Sequence, residues 1–97
     1  MELLGKKVFK KYSKRHAQAR RLLEAWVRVV ENTTWETPAE VLATFPSTDT
    51  YKKITIFDIG GDRYRLLAKI DYDSGILLVR ELMTHEVYSK NRWKRNI

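Results

Sequence analysis

Between His16 and Glu31 the apolar residues recur at helical spacing. Ala19, Leu22, Leu23, Trp26, Val27 and Val30 form one continuous stripe. Arg20, Arg21, Glu24, Arg28 and Glu31 occupy the other faces, so the pattern predicts an amphipathic helix docked by its stripe. Glu24 and Glu31 are spaced to pair with Arg20, Arg28 or neighbouring charges. Ahead of this helix, Lys6 to Lys14 suits a shorter one, with Val8, Phe9 and Tyr12 inward and five lysines outward. Glu2 to Leu4 suggests a short edge strand. Thr37-Pro38-Ala39-Glu40 starts a third helix. Thr at N-cap, Pro at the first helical position and Glu at the third make a capping box. Val41 and Leu42 give it a small apolar face, Pro46 stops it, and Ser47 to Thr50 reads as a loop.

From Ile54 the period changes from helical to two. Ile54 to Ile59 reads as a strand, and Gly60-Gly61-Asp62 supplies the permissive backbone of a hairpin. In the next strand, Arg63 to Asp71, one face carries Tyr64, Leu66, Ala68 and Ile70; the other carries Arg63, Arg65, Leu67 and Lys69. Asp73-Ser74-Gly75 turns the chain into a third strand, Ile76 to Met83, apolar on both faces at its start and therefore expected to be central. Thr84 is placed to cap a last short helix carrying Tyr88 and Trp93. Helices followed by a meander predict an α+β fold: N-terminal helices packed on one face of a small antiparallel β-sheet, with a short C-terminal helix. The other sheet face is then expected to display Arg63, Arg65 and Lys69. Trp26 and Trp35 are expected in the core, and His16 on the surface of the long helix.

Length and composition narrow the picture. The 97 residues suit one domain, with 43% hydrophobic and 11% aromatic residues, enough for one modest core. There is no cysteine, which excludes disulfides and Cys-ligated zinc and suits a reducing compartment. No apolar run approaches the ~20 residues of a spanning helix, and no signal-peptide pattern follows the Lys-rich start. A soluble, cytoplasmic protein without membrane association is expected. The net charge of +7 favours polyanions, because each neutralised phosphate releases counterions. Its distribution is uneven. Met1 to Glu31 carries nine basic residues against three acidic, Asn32 to Asp62 two against five, and Arg63 to Ile97 eight against four.

Candidates for chemistry are few. Two histidines cannot build a multi-His metal site, and no HExxH, phosphate-binding loop or GxSxG is present. Gly60-Gly61 is explained by the hairpin turn. What remains is the cationic row together with Thr84-His85-Glu86-Val87-Tyr88. Arg63, Arg65 and Lys69 share a strand face over about 20 Å at roughly 3.3 Å per residue. Cleavage of RNA by its own 2′-hydroxyl needs a base, a donor for the leaving 5′-oxygen and cations for the phosphorane, all of which His, Tyr, Arg and Lys supply. Spacing alone leaves a second reading open: an ordinary solvated face, with His85 packing at a helix start. Glu81 is open between a strand-edge ion pair and a site residue, and Lys52 and Lys53 between phosphate contacts and a solvated turn.

Three blocks in order, Phe45-Pro46-Ser47-Thr48-Asp49, Phe57-Asp58-Ile59-Gly60-Gly61-Asp62-Arg63-Tyr64-Arg65-Leu66 and Met83-Thr84-His85-Glu86-Val87-Tyr88, resemble the HigB branch of RelE-like toxins. With the N-terminal helices the resemblance covers nearly the whole chain. It implies a RelE-like toxin domain over residues 1–97 and a ribosome-dependent mRNA endonuclease that needs no metal or cofactor. It also implies a helix-turn-helix antitoxin as partner, the pair binding operator DNA. Arg65 matches the arginine that stabilises the scissile phosphate, Tyr88 the C-terminal tyrosine of the site, and His85 lies in the Thr-His motif. Lys52, Lys53, Arg63, Lys69 and Arg80 are the implied RNA-binding residues. One position departs: Asp62 stands where the family commonly has asparagine, adding negative charge beside the site. Because related folds include gyrase poisons, a gyrase-targeting toxin or a non-catalytic nucleic-acid-binding module is the alternative.

Overall fold

The computed structural model describes residues 1–97 throughout, and its helices form where the apolar stripes lie. In chain order the elements are β1 (Glu2–Leu4), α1 (Lys7–Ser13), α2 (Ala19–Glu31), α3 (Pro38–Thr44), β2 (Asp49–Tyr51), β3 (Ile54–Ile59), β4 (Tyr64–Asp71), β5 (Ile76–Thr84) and α4 (His85–Ser89). A 3-10 turn, Arg92–Asn96, follows. The stripe of α2 buries Ala19, Leu23, Trp26 and Val30. This helix begins at Ala19 rather than His16; Gln18 precedes it without a side-chain cap. The capping box of α3 is present in both directions, Thr37 with the Glu40 N–H and Glu40 with the Thr37 N–H. Glu24 pairs with Arg20 within α2, whereas Glu31 reaches Lys6 at 2.7 Å and so ties α2 to the start of α1. No helix is long and apolar enough to cross a membrane.

The five strands lie in the order β1-β5-β4-β3-β2, antiparallel except for β1, which runs parallel to β5. The central strand is thus β4, not the third strand expected from the sequence. β5 is interior only where β1 covers Ile76–Leu78. Gly5 makes that arrangement possible: it has φ +90°, and a Cβ there would stand 2.7 Å from the Val79 carbonyl oxygen. A bulge in the β4–β5 ladder sets Leu67 against Glu81 and Ala68 against Val79, leaving Arg80 unpaired. β2 occupies the end of the segment expected to be a loop. It is three residues long, with one aromatic among polar neighbours, so no alternation could announce it.

One face of the sheet packs on the N-terminal helices. Trp26, Val30, Trp35 and Val41 meet Phe57, Ile59, Leu66 and Val79 there, with Phe57 edge-on to Trp26 at 5.2 Å and to Phe45 at 5.6 Å. The opposite face is not the open cationic surface expected. Tyr64 through Ala68 are all buried, so β4 is covered on both sides over this stretch. Ile54 and Ile56 of β3, Leu67 of β4 and Met83 of β5 form an apolar patch, and Trp93 from the 3-10 turn closes over it. Leaving those four side chains in water would forfeit their burial energy, which explains why the C-terminal segment folds back.

Candidate active site

The site begins with a helix cap. Thr84 leaves β5 in extended conformation and its Oγ1 accepts from the Val87 N–H at 3.3 Å. This sets His85 at the first helical position and Tyr88 one turn later. The His85 backbone N–H donates to the Arg63 carbonyl at 3.0 Å, which pins the helix start to the β3–β4 turn.

Arg65 stands on β4 between Asp58 of β3 and Met83 of β5. Its side chain is only 9% exposed, and two carboxylates pair with it. Nε lies 3.0 Å from Asp58 Oδ1. Nη1 donates to the Tyr64 carbonyl at 3.1 Å. Nη2 donates to Asp62 Oδ1 at 3.3 Å and lies 3.1 Å from His85 Nδ1. A guanidinium has no acceptor, so Nδ1 must accept, and this geometry assigns the remaining ring proton of a neutral imidazole to Nε2. Ser89 Oγ lies 3.4 Å from Nε2 and donates to the His85 carbonyl at 2.8 Å, bracing the ring from the next turn.

The Tyr88 ring receives the Arg65 guanidinium at 5.4 Å and stacks on Trp93 at 5.1 Å with an interplanar angle of 11°. Burial pushes the Tyr88 phenol above its ordinary range, Asp49 and Asp58 add to this, and Arg65 opposes it. The phenol therefore stays protonated at neutral pH. Its neighbour Trp93 is held by an Nε1–H donated to the Tyr88 carbonyl at 2.9 Å.

Of the residues singled out from the sequence, Arg65, His85 and Tyr88 thus come together. Four others gather elsewhere on the same face: Lys52, Lys53, Lys69 and Arg80 line a shallow cavity of about 320 Å³ with Ile54, Asn96 and Ile97. Lys52 has φ +54°, a left-handed conformation that costs a non-glycine residue energy and here raises two adjacent lysines on a hairpin tip. Arg63 joins neither group. It belongs to the turn, where its Cδ lies beside Gly60. The expected row of Arg63, Arg65 and Lys69 is therefore broken. Arg63 is outside the strand, Arg65 is buried and paired, and Leu67 between Arg65 and Lys69 lies under Trp93. His16 is half-buried rather than free on a helix surface, stacked on Tyr12 at 4.2 Å. No group of three or more His, Cys, Asp and Glu side chains is placed to hold a metal ion.

Sequence reasoning missed Asp58, Ser89 and Trp93 as members of this constellation, whereas Asp62 was expected beside the site. Two of them left a signal. Asp58 alternates with Phe57 and Ile59 and so shares a face with Ile54 and Ile56. Ser89 lies at i+4 from His85.

The chain is similar to known proteins over most of its length. Residues 19–91 match the HigB_toxin family, the RelE-like toxic component of a toxin-antitoxin system. The chain is 30% identical over 91 residues to the mRNA interferase toxin HigB of Escherichia coli K12, an alignment spanning 91% of this chain and 88% of that protein. It is 27% identical over 93 residues to the mRNA interferase HigB of Escherichia coli O6:H1, spanning 93% and 90%. The Shigella flexneri mRNA interferase HigB is similar at 30% over 91 residues.

Proposed function

This chain belongs to the HigB family of RelE-like toxins, and from that premise we propose that it is an mRNA endonuclease acting on the ribosome through attack by the RNA's own 2′-hydroxyl. The observation that carries the reading is one cluster: the Arg65 guanidinium 3.1 Å from His85 Nδ1 and 5.4 Å from the Tyr88 ring. Arg65 binds the scissile phosphate and stabilises the charge of the phosphorane. As its Nη2 turns to that phosphate, His85 Nδ1 is freed and takes the proton of the 2′-hydroxyl. The 2′-oxygen then bonds to phosphorus, the bond to the 5′-oxygen breaks, and the Tyr88 phenol supplies that oxygen's proton. The products are a 2′,3′-cyclic phosphate and a 5′-hydroxyl. Lys52, Lys53, Lys69 and Arg80 hold neighbouring phosphates, and Arg63 contacts RNA at the rim.

An antitoxin partner follows from the toxin-antitoxin family. We take it to be a helix-turn-helix protein whose complex with this chain binds operator DNA. The site of action is then the cytoplasm, where ribosomes and transcripts are.

Primer-extension mapping of transcripts after brief induction tests the reading. Discrete cuts within translated frames are expected for the parent. With Arg65→Ala they should fall by the loss of one oxyanion-type donor, about 2.7–4 kcal/mol of transition-state energy. Intact transcripts accompanied by DNA damage would instead identify a gyrase poison. Undiminished cuts from a folded Arg65→Ala protein would remove Arg65 from the site.

A further inference from the structure

We infer that Asp62 is an acidic gate on Arg65, an internal carboxylate that holds the arginine's phosphate-binding N–H until a phosphodiester displaces it. The inference rests on Arg65 being the phosphate-binding residue. A guanidinium offers two edges for a bidentate anion, Nε with Nη2 and Nη1 with Nη2, and Nη2 belongs to both. Both Nη2 hydrogens are engaged here, one by Asp62 Oδ1 at 3.3 Å and one by His85 Nδ1 at 3.1 Å. A phosphate therefore cannot seat on either edge without evicting a partner.

The three side-chain neighbours differ in how readily they leave. Asp58 faces Nε at 3.0 Å from within a paired strand, with a side chain only 23% exposed. His85 is anchored through its backbone N–H and braced by Ser89. Asp62 sits on a turn after Gly60 and Gly61, both at φ +67°, and its side chain is 91% exposed. It can swing into water with little lost burial, and its charge repels the incoming phosphate. Asp58 thus holds the guanidinium in place, Asp62 is the partner that gives way as the phosphate arrives, and His85 Nδ1 is released only when Nη2 then turns onto that phosphate.

Equilibrium binding of a fluorescent 2′-O-methyl oligoribonucleotide, which cannot be cleaved, tests the gate at fixed ionic strength. Asp62→Asn should tighten binding about fivefold, since one like charge is removed next to the bound phosphate. Asp73→Asn, the same charge change on the β4–β5 turn, should alter it less than twofold. In an Arg65→Gln background, which removes the guanidinium but keeps a polar, shorter side chain, the gain from Asp62→Asn should vanish. Equal gains from Asp62→Asn and Asp73→Asn, or a gain that persists with Arg65→Gln, would overturn the gate. Weaker binding by Arg65→Gln with no gain from Asp62→Asn removes the gate alone. Parental binding by Arg65→Gln removes the phosphate assignment and the gate together.

Discussion

The two faces of the sheet bury their apolar side chains under opposite arrangements. Toward α1, α2 and α3 the core is broad and aromatic, with Trp26 and Trp35 each packed on Phe57 and no charged side chain among its buried members. Toward α4 the core is four buried residues beneath Trp93, with a paired arginine at one end and four cations at the other. The first face has what a stable fold needs. The second keeps just enough apolar cover to immobilise Tyr88 and Arg65 while leaving charges at the surface. The larger core and the proposed site thus lie on opposite sides of one strand, β4.

The largest expected effect tests that separation directly. Phe57 is 1% exposed and touches Trp26, Trp35 and Phe45, so Phe57→Ala should cost about 3–5 kcal/mol in urea unfolding. Trp93→Ala opens a peripheral patch and should fall at the low end, about 3 kcal/mol, because the C-terminal segment can relax. It should nevertheless abolish most cleavage, since Tyr88 loses the ring on which it stacks. If Trp93→Ala destabilises as much as Phe57→Ala, the two faces form one energetic unit and the contrast is wrong.

The two faces also differ in how legible they are from the sequence. The helical face is readable because a 3.6-residue stripe over α2 and alternation over β3 and β4 specify both partners of the core. The Thr84 cap likewise places His85 and Tyr88 correctly along the chain, and the RelE-like resemblance singles out Arg65. The cover of the second face is not legible, although Ile54, Ile56, Leu67 and Met83 all share it. Period-two alternation distinguishes two faces but does not say which is solvated, and Leu67 between two cations looks like an exception. The pairing of Arg65 with Asp58 needs the hairpin register, which depends on a four-residue turn, Gly60 to Arg63, that no strand pattern fixes. Arg80 leaves the ladder because of a bulge, and bulges have no composition of their own in this strand.

A middle-sized effect concerns the proton carriers at the buried end. His85→Ala should lower single-turnover cleavage on ribosomes by about 10²-fold or more, and Tyr88→Phe by less. The pH profile separates their roles. Loss of the His85 base should lower the rate at every pH. A tyrosine donor is competent while protonated, and because burial and Asp49 raise the Tyr88 phenol, the alkaline fall should lie above the ordinary tyrosine value of about 10. That fall should vanish in Tyr88→Phe. Profiles unchanged in both variants would leave this end of the face with phosphate binding alone.

The smallest effect belongs to the exposed end, where charge is unpaired and screened. Lys52 and Lys53 sit at a hairpin tip, with the Lys52 ammonium 5.6 Å from the Tyr51 ring and no carboxylate within ion-pair distance. Such cations act through counterion release, which sets affinity without choosing the reacting bond. Changing both to Gln should weaken association about tenfold at low salt. It should also flatten the dependence of log affinity on log salt by about 0.7 for each phosphate that is no longer neutralised. The cleavage rate of the bound complex should hardly move, unlike the rate in His85→Ala. Gly at position 52 sharpens the point, because it relieves the left-handed strain at φ +54° while deleting one charge. Lys52→Gly should therefore gain stability and still lose affinity. If affinity is unchanged, the raised lysine tip carries no phosphate, and the cationic end of the face is a solvated turn.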